Sequence, residues 1–553
     1  MRISFSIQLF TGTAIIAALS SKVTAQGPPP IAPEIFYLLT TIPTLVPTIK
    51  KYETPMAARF ASYYDATWWN CVAALSTNYK DSITKDRPIV SSPNDTDTHT
   101  TSARATCVTQ ATASLNDLFF DGIDEYLEAM EENFPALSIE DQVPSDVRAC
   151  LVSSRIPVET NSEATAEGRK RLRSKSDKGG GEDEEESTTI VYEADPVCMN
   201  NVALQSNYDP TTMGHIIALQ TYAYSMMDGY NQMGTDGGCT VNCRPYTDTT
   251  GYAPVDRVGR WKPLMEENNK GFFYKQEFVA PHVGQKAKYR YLPESDRIDR
   301  VVRKPNYTLN RKLEMEEVIN QMALLDDYKK VEIEAFDDKL YTTTQIIGAF
   351  VNKVLMDGYV DTELGQDGLI LSFERLLHFN AGITGAELDS IIIAWKEKVR
   401  YDLVRPTTVI KERGNEQITT WAKNEGISTF SASSFEAYIR VMPHAEYTSG
   451  SSCLFEAVKD YVESYLVSIG LNPSNFPITF PTINVGESKV EPGVTPEAPI
   501  TLTYGNIAEM ASAGSMSRFN GGMHFRDSVP AGQELCAGIG TIAASAVDGL
   551  IKV

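Results

Sequence analysis

The sequence predicts a mainly α-helical bundle with long irregular connections, on three observations. Apolar residues recur at spacings of three and four through most of the chain, alternation of apolar with polar residues is weak, and β-branched runs are few. A large sheet is therefore not expected. At 553 residues the chain exceeds what one simple core accommodates, so several regions are expected around the bundle.

Residues 1–25 read as a secretory signal, with Arg2 in a short basic region, an apolar run from Ile7 to Leu19, and small residues at Val23-Thr24-Ala25 before Gln26. An N-terminal anchor is the competing reading, but the run is short for a bilayer span. The expectation is a secreted protein with no membrane attachment once the signal is removed.

A helical N-terminal region over 26–159 follows. Pro28 to Pro47 is proline-rich and irregular, whereas Pro55 to Leu75 carries Phe60, Tyr63, Tyr64, Trp68 and Trp69 in helical register, and Ala111 to Asn133 repeats the pattern. Such an aromatic stripe predicts core packing. Residues 160–188 break the chain: RKRLR at 169–173, a glycine run and EDEEE at 182–186 segregate charge in a segment too polar to bury, which predicts a disordered insertion. A connecting region over 189–310 holds one helix, Gly214 to Tyr230, and then loops with short strands from Gly237 to Pro293. The bundle itself is expected over 311–553, with helices at 313–330, 341–357, 367–380, 386–401, 433–441, 452–468, 503–514 and 530–550.

Charge narrows the partners. A net charge of −22 and a pI near 4.8 argue against nucleic acid and anionic membrane surfaces, so an anionic substrate would need a local positive pocket. Clustered Lys and Arg are correspondingly informative. The eight cysteines are an even number and point to disulfides in an oxidising compartment. Cys239 and Cys243 are spaced like half a zinc site, but no second pair follows. The sequons at Asn94 and Asn306 fit a secreted glycoprotein.

Three basic clusters in the last third describe a tetrahedral oxyanion site. Lys398 and Arg405, in KVRYDLVRP, are seven apart; on one helix they would share a face, with Pro406 ending that helix at Arg405. Ser449 and Gly450, in TSGSS, precede the apolar run from Cys453 to Val467 and have the form of a helix N-terminus, where free N–H groups cap the helix or bind an anion. Arg518 and His524 flank Gly521-Gly522, which would let the chain fold His524 back toward a bound oxyanion. His444, seven residues before Ser451, either lines the same pocket or lies on an exposed loop. Glu446 either tunes His444 or faces water, and His378 is expected inside the bundle.

In this order the clusters resemble the signature of the vanadium-dependent haloperoxidases and the acid-phosphatase-like (PAP2) superfamily: Lys-x6-Arg-Pro, Pro-Ser-Gly-His, Ser-Arg-x5-His. Lys398 to Pro406 match the first, and Ser517, Arg518 and His524 the third. LLHFNAGITGAELDSIIIAWKEKVRYDLVRP, SRFNGGMHF and CRPYTDTTGYAP are similar to the haloperoxidase branch, and the resemblance spans roughly residues 195–553. It implies a haloperoxidase/PAP2-like helical fold and a vanadate cofactor held by Lys398, Arg405, Ser449, Gly450 and Arg518, with His524 as the metal ligand. It also implies oxidation of halide by hydrogen peroxide for transfer to a small organic acceptor, with a homo-oligomer possible.

The second motif departs from the pattern, because Ser451 stands where the family has an acid/base histidine. Serine can keep a hydrogen bond but cannot act as a general acid near neutral pH. Phosphatase chemistry is therefore the harder function to retain. His444 is the candidate substitute, so the catalytic set implied is His524, Ser451 and His444. A secreted phosphatase and a non-catalytic oxyanion-binding protein are the alternative readings.

Overall fold

The computed structural model describes residues 53–74, most of 106–115, 151–157, 188–194, 210–231, 259–267, 272–306, 311–356 and 366–551 apart from 424. The signal segment, the charged insertion, the Cys239/Cys243 pair and the Asn94 sequon lie outside these residues.

The described residues are mainly helical, as the sequence predicts. Helices α1 (Thr54–Ala74), α2 (Pro210–Ser225), α3 (Lys312–Met322), α4 (Asp327–Asp337), α5 (Lys339–Phe350), α6 (Gln366–Tyr401), α7 (Pro406–Lys411), α8 (Gly450–Ser468), α9 (Ile507–Asn520), α10 (Ser528–Cys536) and α11 (Ile539–Leu550) make the frame. Strands occur only as antiparallel pairs: β1 (Leu151–Pro157) with β2 (Thr188–Ala194), β3 (Met265–Glu267) with β4 (Phe273–Lys275), and β5 (Gln417–Ala422) with β6 (Gly426–Ser431), plus a short pair at Ile478–Thr479 and Thr503–Tyr504. The β1–β2 ladder sets Leu151 against Ala194 and Pro157 against Thr188, clamping the two ends of the charged insertion together.

The 36-residue α6 is the axis, and it packs against α1, α8, α10 and α11. Its face from Ile391 to Trp395 is wholly buried, and α1 is buried on nearly every side, so the aromatic stripe of α1 is core. Disulfides Cys71–Cys107 and Cys453–Cys536 tie α1 to the helical residues near 107 and α8 to α10.

Several sequence-based boundaries differ, each for a local reason. The helices expected at 367–380 and 386–401 are one helix, because Gly382 and Gly385 sit where Tyr461 and Tyr291 press against the backbone, and a helix continues through such small residues when packing holds it. The helix expected over 313–330 breaks at Leu325–Asp326, where Asp326 caps α4 by accepting from Lys329 N. That expected over 530–550 breaks at Gly538, whose φ of 81° no helical residue adopts. No helix forms over 433–441; after a single 3-10 turn at Ala432–Ser434 the chain runs extended, with Tyr438 N bonded to Gly521 O. Finally, α6 ends at Tyr401, and Arg405 (φ −79°, ψ 154°) is the extended N-cap of α7 with Pro406 in its first turn. Lys398 and Arg405 therefore do not share a helix face.

Candidate active site

Six of the eight sequence-predicted site residues wall one pocket. Arg405, His444, Gly450, Ser451, Arg518 and His524 line a small cavity open to solvent, together with Thr54, Lys339, Ile391, Trp395 and Met442. The other two, Lys398 and Ser449, sit directly behind the wall.

Lys398 is fully buried at the end of α6, and its ammonium donates to the carbonyls of Ala445 (2.9 Å), Glu446 (3.1 Å) and Thr448. All three of its donors are thus spent on the extended segment that leads into α8. Ser449 is the N-cap of α8: its Oγ accepts from Ser452 N at 3.2 Å and from Ser452 Oγ at 2.8 Å. The capping reading of this serine holds, and the cap presents the first turn of a 19-residue helix to the cavity. A Cβ added at Gly450 would lie 3.4 Å from Lys398 Cε and 3.5 Å from Trp395, so glycine keeps the backbone open at that point.

The turn after α9 delivers His524. Gly522 takes φ 77°, and any Cβ there would strike Met322 Sδ at 2.2 Å, so a residue with a side chain is excluded. Arg405 then fixes both imidazoles. Its Nη1 donates to His524 Nε2 at 3.1 Å and to Met523 O at 3.0 Å, and its Nη2 donates to His444 Nδ1 at 3.0 Å. A guanidinium only donates. His524 is therefore neutral with its proton on Nδ1, where Glu446 Oε1 accepts it at 2.9 Å. His444 is neutral with its proton on Nε2, and the 3.2 Å approach of its Nδ1 to Ala445 O is a contact rather than a hydrogen bond. The His524 lone pair here accepts from Arg405, which an incoming ligand would have to replace, whereas His444 offers an N–H.

Glu446 is almost fully buried, and the same Oε1 accepts from Phe525 N at 3.1 Å. It neither faces water nor touches His444, as the sequence reading had allowed; it orients His524. His444 is buried against Trp395, with ring centres 4.7 Å apart, so it is no exposed loop residue. His378 lies in α6, the same helix as Lys398, packed on Trp69 at 5.1 Å.

Burial dominates the electrostatics. It pushes both His524 and His444 well below the usual imidazole range, with Arg405 and Lys398 adding repulsion to each. Lys398 is likewise driven well down by burial and then by Arg405, and Arg405 is lowered to about 10 by burial. Arg518 is lowered by burial, partly offset by Asp337, whose Oδ1 accepts from Nη1 and Nη2 at 3.3 Å each. Arg518 Nε is buried with no hydrogen-bond partner. Burial also raises Glu446, against the pull of Ser528, Arg311, Arg405 and Lys398.

Lys339 was not foreseen from the sequence. It opens α5 behind the cap Asp338, and its ammonium donates to Asp337 O at 2.8 Å. Burial, with repulsion from Arg518, lowers it to about 7 despite Asp337 and Asp338. No motif marks it, since its neighbours in sequence are acidic and the pocket contact arises only when α4 packs on α9 and brings the start of α5 beside Arg518.

An oxyanion fits this donor set: an orphaned Arg518 Nε, a helix N-terminus kept open by glycine, and cations of which Arg405 and Lys398 have no carboxylate hydrogen-bonded to them. Among the described residues no group of three or more His, Cys, Asp and Glu is placed to hold a metal ion.

The chain has the fold of the vanadium-dependent haloperoxidases, and the resemblance read from the sequence holds. Residues 378–552 match the family model of the VCPO second helical-bundle domain. Solved structures agree over at least 90% of the chain. A holo-type bacterial vanadium-dependent chloroperoxidase is 20% identical with a TM-score of 0.65, covering 93% of this chain and 96% of that one. The apo-type bacterial chloroperoxidase is 21% identical with a TM-score of 0.62, covering 90% and 94%. A bacterial vanadium-dependent iodoperoxidase is 16% identical with a TM-score of 0.54, covering 94% and 97%. Among curated proteins none is a significant match.

Proposed function

We propose that this chain is a vanadate-dependent haloperoxidase that oxidises a halide with hydrogen peroxide to a hypohalite for halogenation of small organic acceptors, acting outside the cell. The observation that carries this reading is the tautomer of His524. Its Nδ1–H is held by Glu446, and its Nε2 lone pair stands among Arg405, Lys398 and Arg518 in a pocket that suits an oxyanion. Carboxylate–histidine pairing of this kind fixes the ring and raises its basicity as a metal ligand. The printed names of the structural neighbours support the same reading.

His524 would hold the metal, and Arg405, Arg518 and the Gly450 N–H would hold the oxygens, with Lys398 adding charge from behind and Ser449 keeping the helix end in place. When bound, vanadate supplies a Lewis-acidic centre that polarises the O–O bond of peroxide. Ser451 offers a hydroxyl in the place of the family histidine. The proton traffic that serine cannot carry falls to Lys339, whose pKa of about 7 suits donation and acceptance near neutrality, with the His444 N–H as a fixed donor.

Iodide and bromide oxidation with hydrogen peroxide, on vanadate-reconstituted and vanadate-free samples, tests the proposal. Turnover that requires vanadate is expected. Phosphate-ester hydrolysis without vanadate, or saturable vanadate binding with no halide oxidation, would overturn it in favour of a phosphatase or a binding protein.

A further inference from the structure

Among the pocket walls, Met442 carries the one thioether. It is partly exposed, on the extended segment between Arg440 and His444. Its sulfur lies 3.9 Å from Arg440 Nη1, and Arg440 is itself fixed by Glu53 at 2.7 Å and by Glu266 at 2.9 and 3.0 Å. Met442 therefore stands on an anchored part of the rim. Two other methionines give contrasting environments. Met523, next to His524, is wholly buried with its sulfur against Arg518 Nη2 at 3.4 Å. Met265, on β3, is 62% exposed and does not line the pocket.

Thioethers take up oxygen readily, and susceptibility follows exposure to the oxidant. A site that makes hypohalous acid would expose Met442 to it before bulk solvent. We propose that Met442 is a self-oxidation site of this protein, converted to the sulfoxide by oxidant generated in the adjoining pocket; the inference rests on the haloperoxidase reading. The sulfur lone pair attacks the electrophilic halogen of hypohalous acid and releases hydroxide. Water then adds at sulfur, halide leaves and two protons are lost, so that thioether plus hypohalous acid gives sulfoxide, halide and one net proton. The change turns an apolar rim residue into a polar acceptor beside Arg440.

Peptide mass spectrometry on the vanadate-loaded full chain, sampled during turnover with bromide and peroxide, tests this, with halide oxidation followed in the same tube. A second sample without vanadate receives reagent hypobromite. The expected result is oxygen on Met442 severalfold ahead of Met265 during turnover, and the reverse order with added reagent, where exposure alone decides. Halide oxidation with Met442 unmodified or trailing Met265 overturns the inference while leaving the enzyme reading intact. Met442 leading in both samples also overturns it, because the selectivity would then be intrinsic. Absence of halide oxidation removes the haloperoxidase reading and the inference with it.

Discussion

Arg59 and Arg405 are equally withdrawn from water, yet the fold treats them in opposite ways. Arg59, on α1, meets Asp228 at 2.6 Å and Ser225 O at 2.8 Å, and Tyr63 OH binds the same carboxylate at 2.5 Å. Asp228 and its neighbours outweigh burial, and the Arg59 pKa rises. Arg405 spends four of its five N–H donors on two imidazoles and two carbonyls, no carboxylate is hydrogen-bonded to it, and its pKa falls to about 10. The first is a closed ion pair that holds α1 to the chain beyond α2. The second is a charge kept without a full counter-anion, at a cost borne by the rest of the fold.

Substitutions should separate the two. The largest effect is expected at the ligand position: His524→Ala should reduce vanadate-dependent halide oxidation to background with the fold intact by circular dichroism, and full activity would remove the metal-ligand assignment. Next, Arg59→Ala leaves Asp228 buried without its cation, though still bound by Tyr63 OH, and should destabilise the protein by about 3–5 kcal/mol in chemical denaturation. Arg405→Met should instead leave stability nearly unchanged while weakening vanadate binding by about 1.5–3 kcal/mol, the worth of hydrogen bonds to a charged group. Equal destabilisation by both would break the comparison. Glu446→Gln keeps the volume but loosens the hold on the His524 tautomer, and a fall in vanadate affinity of about 10–100-fold is expected from titration.

The smallest effect is the pH dependence from Lys339. Its folded pKa, about 7, lies below the ordinary 10.5, so the unfolded chain binds the extra proton between these values. The stability it contributes is therefore present above 10.5 and lost as pH falls through about 7. Binding an anion favours the charged amine, so affinity should weaken as pH rises through about 7, and Lys339→Met should flatten that dependence. A profile unchanged by the substitution would assign the proton elsewhere.

Much of this was legible in the sequence because it is local or carried by a motif. The Ser449 cap, the helix after it and the pairing of Arg518 with His524 across two glycines are all read from adjacent residues. What was missed depends on long-range packing. Glu446 and His524 are 78 positions apart and meet only because α8 and α10 bring Ser449 N to Ser528 O. Lys339 enters the pocket from a helix with no basic motif. The helix proposed at 433–441 failed because tertiary contacts hold that stretch extended against the turn at Gly521, overriding its local pattern. Lys398 shows the converse: the motif located the charge, but not that its three donors face backbone carbonyls.

The cations of this pocket are only partly neutralised by Asp337 and Glu446 and are built to receive a further anion. Calorimetric titration of vanadate into the full chain, in two buffers of different ionisation enthalpy at a pH just above 7, tests this most directly. Saturable binding with net proton uptake is predicted, because an incoming anion raises the lowered pKa values of Lys339 and Lys398. Binding with no proton uptake, or no saturable binding, would contradict it.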